Sequence, residues 1–214
     1  MKRQRRQKSS WFGRLLANFL MSGAVLVALS LGIASCARKD VSALAGYEPR
    51  LVLEEFFAGR SVAYGIFEDR FGNLRRQFRV NLSGTLHGNR LVLDEEFLYD
   101  DGERASRRWT IDRLESANDG TVTYTGRAAD ANAAAQGMQI GNALNWQYDI
   151  TLELSGMSLD VHFDDWIYKQ DEDVAINRAF VTKFGVEIGS VTIVFIRGKT
   201  ALNLWPLSLD EWPR

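Results

Sequence analysis

The sequence predicts an all-β fold, an antiparallel up-and-down barrel of about eight to ten strands, behind an N-terminal signal helix. Three observations predict it. Apolar and polar residues alternate with a period of two over most of the chain beyond residue 49. Turn-forming residues punctuate those runs at short, regular intervals. The three prolines, Pro49, Pro206 and Pro213, all lie outside the alternating runs.

The N-terminus has a different character. "MKRQRRQK" carries Lys2, Arg3, Arg5, Arg6 and Lys8, and no acidic residue occurs before Asp40. An apolar run from Leu15 to Ala34 follows, so the basic and apolar parts of a secretory signal are both present. Its exit, Ile33-Ala34-Ser35-Cys36, resembles the bacterial lipobox, in which the cysteine becomes the lipid-modified first residue. Small residues let an extended segment enter a protease cleft, and the thiol accepts the diacylglyceryl group. Two or three acyl chains hold a protein on a membrane far better than one, at about 0.8 kcal/mol per buried CH₂. The competing reading is a single-pass anchor with an incidental cysteine. Cys36 is the chain's one cysteine, so an internal disulfide is excluded and lipidation is the better account of it.

Arg5-Arg6 suggests twin-arginine export, but the "QK" that follows lacks the apolar residues of such signals, which favours the general secretory route. Ala37 is not the Asp that retains lipoproteins at the inner membrane, so the expected location is the outer membrane of the bacterial envelope, facing the periplasm. The expected organisation is signal peptide 1–35, lipidated tether 36–48 and one β-barrel domain 49–214. Removing residues 1–35 takes away six basic side chains and no acidic one. The 26 basic and 27 acidic residues of the chain become 20 against 27, a net charge of −7. An acidic domain of this kind excludes nucleic acid as an expected partner, because phosphate binding needs clustered Lys and Arg.

The strands follow in order. Gly59 separates "LVLEEFFA" from "SVAYGIFE", and "DRFGN" joins the latter to "LRRQFRVNLS", where Phe78, Val80 and Leu82 oppose Gln77, Arg79 and Asn81. "HGN" precedes "RLVLDEEFLY", "DDGE" follows it, and "NDG" leads into "TVTYTGR", which sets Val122 and Tyr124 against threonines. The cleanest run is "LNWQYDITLEL": Leu144, Trp146, Tyr148, Ile150, Leu152 and Leu154 share one face. "SGM" joins it to "MSLDVHFDDWIY". Three segments break the rhythm. Residues 127–143, rich in Ala and Gly, read as a short helix or a crossover. Residues 169–178, "KQDEDVAINR", read as a polar excursion, and the tail "LWPLSLDEWPR" has no clear period. Meander connectivity with one wet face favours a closed barrel, which abolishes exposed edges; a two-sheet sandwich is the alternative.

Three stretches place two acids after an aromatic residue: "FED", "YDD" and "FDD". The first two stand where a strand gives way to a turn closed by Gly72 or Gly102, and read as turn residues. The third differs. Alternation puts Met157, Leu159, Val161, Phe163, Asp165 and Ile167 on one face, so Asp165 points inward. A buried carboxylate needs a cation or several donors, or it takes up a proton. Arg75, Arg76, Arg107, Arg108 and Lys183 are the strand cations available to it. Asp165 therefore reads as an ion-pair partner, as a group orienting a ligand or, least supported, as a catalytic acid. A bulge at Asp164–Asp165 would instead turn both acids outward and Trp166 inward.

Catalytic constellations are thin. His87 sits in a turn and His162 on a polar face, with no second histidine or cysteine at metal spacing, so no metal is expected. Neither a G-x-S-x-G elbow nor a P-loop occurs. Asp101 and Asp165 serve as paired carboxylates only if the fold brings them together. No catalytic residue and no cofactor is assigned, and whether the chain is an enzyme stays open, with a non-enzyme the favoured reading.

The stretches "LVLEEFFAGRSVAYGIFEDRFGNLRRQFRV", "LDEEFLYDDGE", "GNALNWQYDI" and "FDDWIYKQDEDVAINRAFVTKFGV" resemble a bacterial lipoprotein family known as domain of unknown function 3833. The resemblance spans nearly the whole mature chain and includes the lipobox. It implies a lipocalin-like barrel and carries no activity or site residues.

Two functional expectations follow. In the first, a lipid-anchored barrel binds a fatty acid or phospholipid, with Trp146, Tyr148 and Phe163 forming apolar walls and Asp165, Arg76 and Arg107 supplying a placed charge. Those same bulky side chains would instead fill a solid core if no cavity is left. In the second, an accessory lipoprotein docks on another envelope protein through polar loops and the tail tryptophans, Trp205 and Trp212. An enzyme acting on lipid would need Asp165, an arginine and a tyrosine such as Tyr168 to converge.

Overall fold

The structure is a computed structural model, and it describes residues 41–118, 120–154 and 157–212. The expected signal peptide, Cys36 and the first part of the tether lie outside these residues. Ten antiparallel strands close into a barrel: β1 Gly59–Asp69, β2 Leu74–His87, β3 Arg90–Tyr99, β4 Arg104–Ser116, β5 Val122–Arg127, β6 Ala135–Ile140, β7 Ala143–Leu154, β8 Met157–Lys169, β9 Val174–Lys183 and β10 Val186–Ile196. Each strand pairs with its sequence neighbour, and β10 returns to β1 with a register running from Val62↔Ile196 to Asp69↔Gly189. The up-and-down barrel is therefore closed, and the sandwich is ruled out.

Alternation has the consequence the sequence implies. Along β7, Leu144, Trp146, Tyr148 and Ile150 are buried while Asn145, Gln147 and Asp149 are not. Turn chemistry sets the hairpins. Gly72 and Gly102 have φ of 79° and 86°, where a side chain is disfavoured. Asp69 accepts hydrogen bonds from the amides of Phe71 and Asn73, and Asp101 from that of Glu103. The first two acidic stretches are turns.

The expectations fail in three places. "LEEFF" is a helix, α1 Leu53–Phe57, rather than part of a strand run. It lies across one end of the barrel with Leu53, Phe56 and Phe57 buried, and Phe57 meets the ring of Phe195 edge-on at 5.1 Å. Gly84 of β2 makes this plug possible, since a Cβ there would lie 1.9 Å from the Phe57 carbonyl oxygen. The Ala- and Gly-rich stretch 127–143 contains neither helix nor long crossover but a strand, β6. Its small residues leave room for Trp146, whose indole covers Gly126 and Gly137; a Cβ on either would sit about 2.5 Å from the ring. Within 169–178 the polar excursion is only a tight turn before β9, in which Asp171 accepts from the amides of Asp173 and Val174.

After β10 the chain forms α2 Gly198–Leu204 on the outside of β1, where Ala201, Val62 and Leu207 make a second apolar cluster. The main cluster lies inside the barrel. Opposite the plug, the β1–β2, β3–β4 and β9–β10 hairpins surround the other end.

Candidate functional site

The barrel interior is not completely filled. A cavity of about 300 Å³ runs from Leu53 and Phe57 on the plug to Phe67, Tyr99, Leu152 and Ile188 near the far hairpins. That is the lower end of the roughly 300–1,000 Å³ typical of small-molecule pockets. Its walls are mainly aliphatic and aromatic. Trp109 meets Trp146 and Tyr148 edge-on at 5.6 and 5.3 Å, and Tyr148 stacks on Phe163 at 5.1 Å.

Polar groups interrupt this wall at a few points. Unbroken pairing of β7 with β8 sets Trp146 opposite Asp165, so no bulge intervenes and Asp165 projects inward. Asp164 points outward and accepts from Asn145 and Gln147 at 2.6 and 3.0 Å. On the opposite wall, Glu95 of β3 stands directly across from Arg107 of β4, and both line the cavity. Arg107 donates to Asp130 at 2.9 Å, and Asn177 of β9 adds a carboxamide. The residual exposure of Glu95 faces the cavity and the gap beside Arg107.

The electrostatics follow from burial. Loss of water raises the Asp165 pKa to about 7; the Tyr148 hydroxyl, its hydrogen-bond partner, and Arg107 oppose the rise, while Asp164 and Glu95 add to it. Burial likewise raises Glu95 to about 7, against the pull of Arg107. Burial works against the charge of Arg107, yet Tyr148, Glu95 and Asp130 outweigh it and hold that pKa up. Tyr148, buried and beside Asp165, is pushed well above the ordinary phenol range.

All six residues singled out in the sequence line this one cavity: Asp165, Arg76, Arg107, Trp146, Tyr148 and Phe163. Arg76 is already engaged. Its guanidinium binds Asp101 at 2.7 Å and Glu103 at 2.6 Å and lies 3.6 Å from the centroid of the Tyr99 ring. Asp101 thus sits in an exposed turn while Asp165 is buried, and the paired-carboxylate arrangement is not formed. The tyrosine that hydrogen-bonds Asp165 is Tyr148, and Tyr168 stacks on Trp166 along the outer face. Tyr168 takes no part, and the acid, arginine and tyrosine that line the cavity together are Asp165, Arg107 and Tyr148.

Sequence reasoning missed Glu95, Asn177 and Asp130. Glu95 was findable by alternation, since Leu91, Leu93, Glu95, Phe97 and Tyr99 share a face. Among the described residues no three His, Cys, Asp or Glu side chains are grouped as a metal site. His162 instead lies 2.9 Å from Asp149 on the outside.

A family model described as "Protein of unknown function (DUF3833)" matches residues 30–197. No curated protein matches the chain. Among solved structures, the S-type phycobiliprotein lyase CPES from Guillardia theta is similar, with a TM-score of 0.52 and 12% identity, over 70% of this chain and 94% of that one. At that identity the likeness is one of fold.

Proposed function

The chain belongs to the DUF3833 family, and for this member we propose a lipid-anchored protein of the bacterial envelope that holds a lipid or related amphiphile in its barrel. The observation that carries the reading is the cavity itself. It lies within a closed barrel, its lining is dominated by apolar side chains, and its polar groups are few. A chain built only to be a solid spacer has no use for Asp165 and Glu95 facing an unfilled interior. Support for the anchor is the basic stretch, the apolar run and Ile33-Ala34-Ser35-Cys36, and Ala37 favours the outer membrane. No reaction is assigned.

The test is binding of an apolar fluorophore, diphenylhexatriene, to residues 41–214, which form a compact unit containing all ten strands and both apolar clusters. Ala179 lines the cavity on β9, so Ala179→Phe would fill it. Saturable binding by the native barrel, lost in Ala179→Phe, is expected. Absence of binding in both proteins contradicts the proposal.

A second reading, docking on an envelope protein, moves to a new surface. The tail tryptophans are occupied: Arg60 lies 5.6 Å from the Trp205 ring and Arg79 4.8 Å from that of Trp212. The most exposed aromatics among the described residues are instead Phe71 and Phe184, at 73% and 95%, on the tips of two neighbouring hairpins. Loss of a co-purifying envelope protein in Phe71→Ser/Phe184→Asn, with the cavity unaffected, would support it; unchanged co-purification would remove it.

A further inference from the structure

The polar groups of the cavity are unequally provided with partners. Asp165 is 8% exposed and Asn177 3%, yet Asp165 Oδ1 and Asn177 Oδ1 have no hydrogen-bond partner. Both belong to side chains lining the same cavity. On paired strands β8 and β9, Asp165 stands opposite Ala179 and Ile167 opposite Asn177, so the two side chains are diagonal neighbours on the inner face. A buried acceptor left without a donor costs about 1–3 kcal/mol, more if charged, so such groups in a native protein call for a partner.

The hydrogen bonds of the two cavity cations go elsewhere. Arg107 Nε and Nη2 are both directed to Asp130 at 2.9 and 2.7 Å. Arg76 Nη2 is held by Asp101 and Glu103 at the rim. Five carboxylates, Glu95, Asp101, Glu103, Asp130 and Asp165, therefore surround two guanidiniums. An incoming carboxylate or phosphate would meet Asp165 and Glu95; the unpartnered Arg76 Nε belongs to a guanidinium already bound to Asp101 and Glu103 at the rim. An incoming donor would complete Asp165 Oδ1 and Asn177 Oδ1 and offset the acidic excess.

We propose that this cavity selects an amphiphile whose buried polar end is a hydrogen-bond donor, an amine or a hydroxyl on an apolar chain, and discriminates against anionic heads. The inference rests on the reading of the cavity as a ligand site and narrows it: the fatty-acid anion expected from sequence is the disfavoured case.

The experiment compares dodecylamine, 1-dodecanol and dodecanoate, all below their aggregation limits at pH 7.5, as displacers of diphenylhexatriene from residues 41–214. The amine and alcohol are expected to displace the probe at concentrations at least about tenfold lower than dodecanoate. Asp165→Asn is expected to erase the preference for amine over dodecanoate, and Glu95→Gln to weaken it. Equal or tighter binding of dodecanoate by the native barrel overturns the inference. So does an amine preference unchanged in both variants. If diphenylhexatriene itself fails to bind, the underlying cavity reading falls with it. If the probe binds but none of the three amphiphiles displaces it, only the head-group inference is lost.

Discussion

Glu95 and Arg107 face each other across β3 and β4 with both side chains directed to the interior of the barrel. In most barrels an inner-face pair of this kind would be apolar. Here it forms one side of a polar patch whose other side is Asp165 and Tyr148, and burial raises the pKa of both carboxyls in that patch.

Asp165 and Glu95 have pKa values of about 7 in the folded state, against about 4 for carboxyls in an unfolded chain. Between these limits the folded state binds more protons than the unfolded one, so stability falls as pH rises. The contribution is full below about pH 4, declines through the interval and is gone above about pH 7. Melting of residues 41–214 between pH 5 and 8 is expected to show this decline on top of the other titrations. Asp165→Asn and Glu95→Gln should each flatten it, while variants of exposed acids such as Asp210 should not. Identical pH dependence in the native and Asp165→Asn proteins would show that the carboxyl is not held in this environment.

Trp146 depends on two missing side chains. Gly126→Ala and Gly137→Ala each place a Cβ about 2.5 Å from its indole, so the ring must move toward the cavity. Destabilisation of about 1–3 kcal/mol is expected from either change, measured by denaturant unfolding. Trp146 emission should shift at the same time. A neutral substitution would mean that the indole has room elsewhere.

Phe184 has a φ of 52° and is 95% exposed, followed by Gly185 at 76°. Two successive residues with positive φ make a type I′ hairpin turn, which favours Asn-Gly. Phe184→Asn is accordingly expected to stabilise the barrel, by about 1 kcal/mol, because Asn accepts the left-handed region more readily. Chemical denaturation reads this directly, and a loss of stability would contradict the turn assignment.

One buried side chain holds the start of the C-terminal tail. Buried Asn81 donates to the Leu207 carbonyl at 3.0 Å and accepts from the Leu207 amide at 2.8 Å. Asn81→Ala leaves both backbone groups without partners, at a cost of about 1–3 kcal/mol. Proteolysis after α2 is expected to accelerate in this variant while the barrel core stays resistant. Equal cleavage rates would indicate that Leu207 packing and the contacts of Arg60, Arg79 and Arg104 retain the tail without Asn81.

Legibility in the sequence tracks the range of the forces involved. The strands of the barrel and the inward direction of Asp165 are written in a two-residue period, which local sequence carries in full. Glu95 follows the same period, but its neighbours Asp94 and Glu96 make the stretch read as an acidic surface. The plug α1 is five residues long, too short to show a helical period, and is a helix because the barrel end buries its apolar face. The strand β6 hides behind Ala and Gly because the side chain that completes its inner face is Trp146 of β7. Whether Arg76 was free or bound depended on Asp101 and Glu103, on a hairpin 25 residues away. Such pairings belong to the tertiary structure, and no local pattern announces them.

Native mass spectrometry of residues 41–214, isolated without detergent from a bacterial periplasm, addresses the central claim most directly. A bound small molecule of lipid class, released on denaturation and absent from Ala179→Phe, is the predicted result. A bare polypeptide mass, under conditions that preserve the complex of an established lipid carrier, would contradict a ligand-holding barrel.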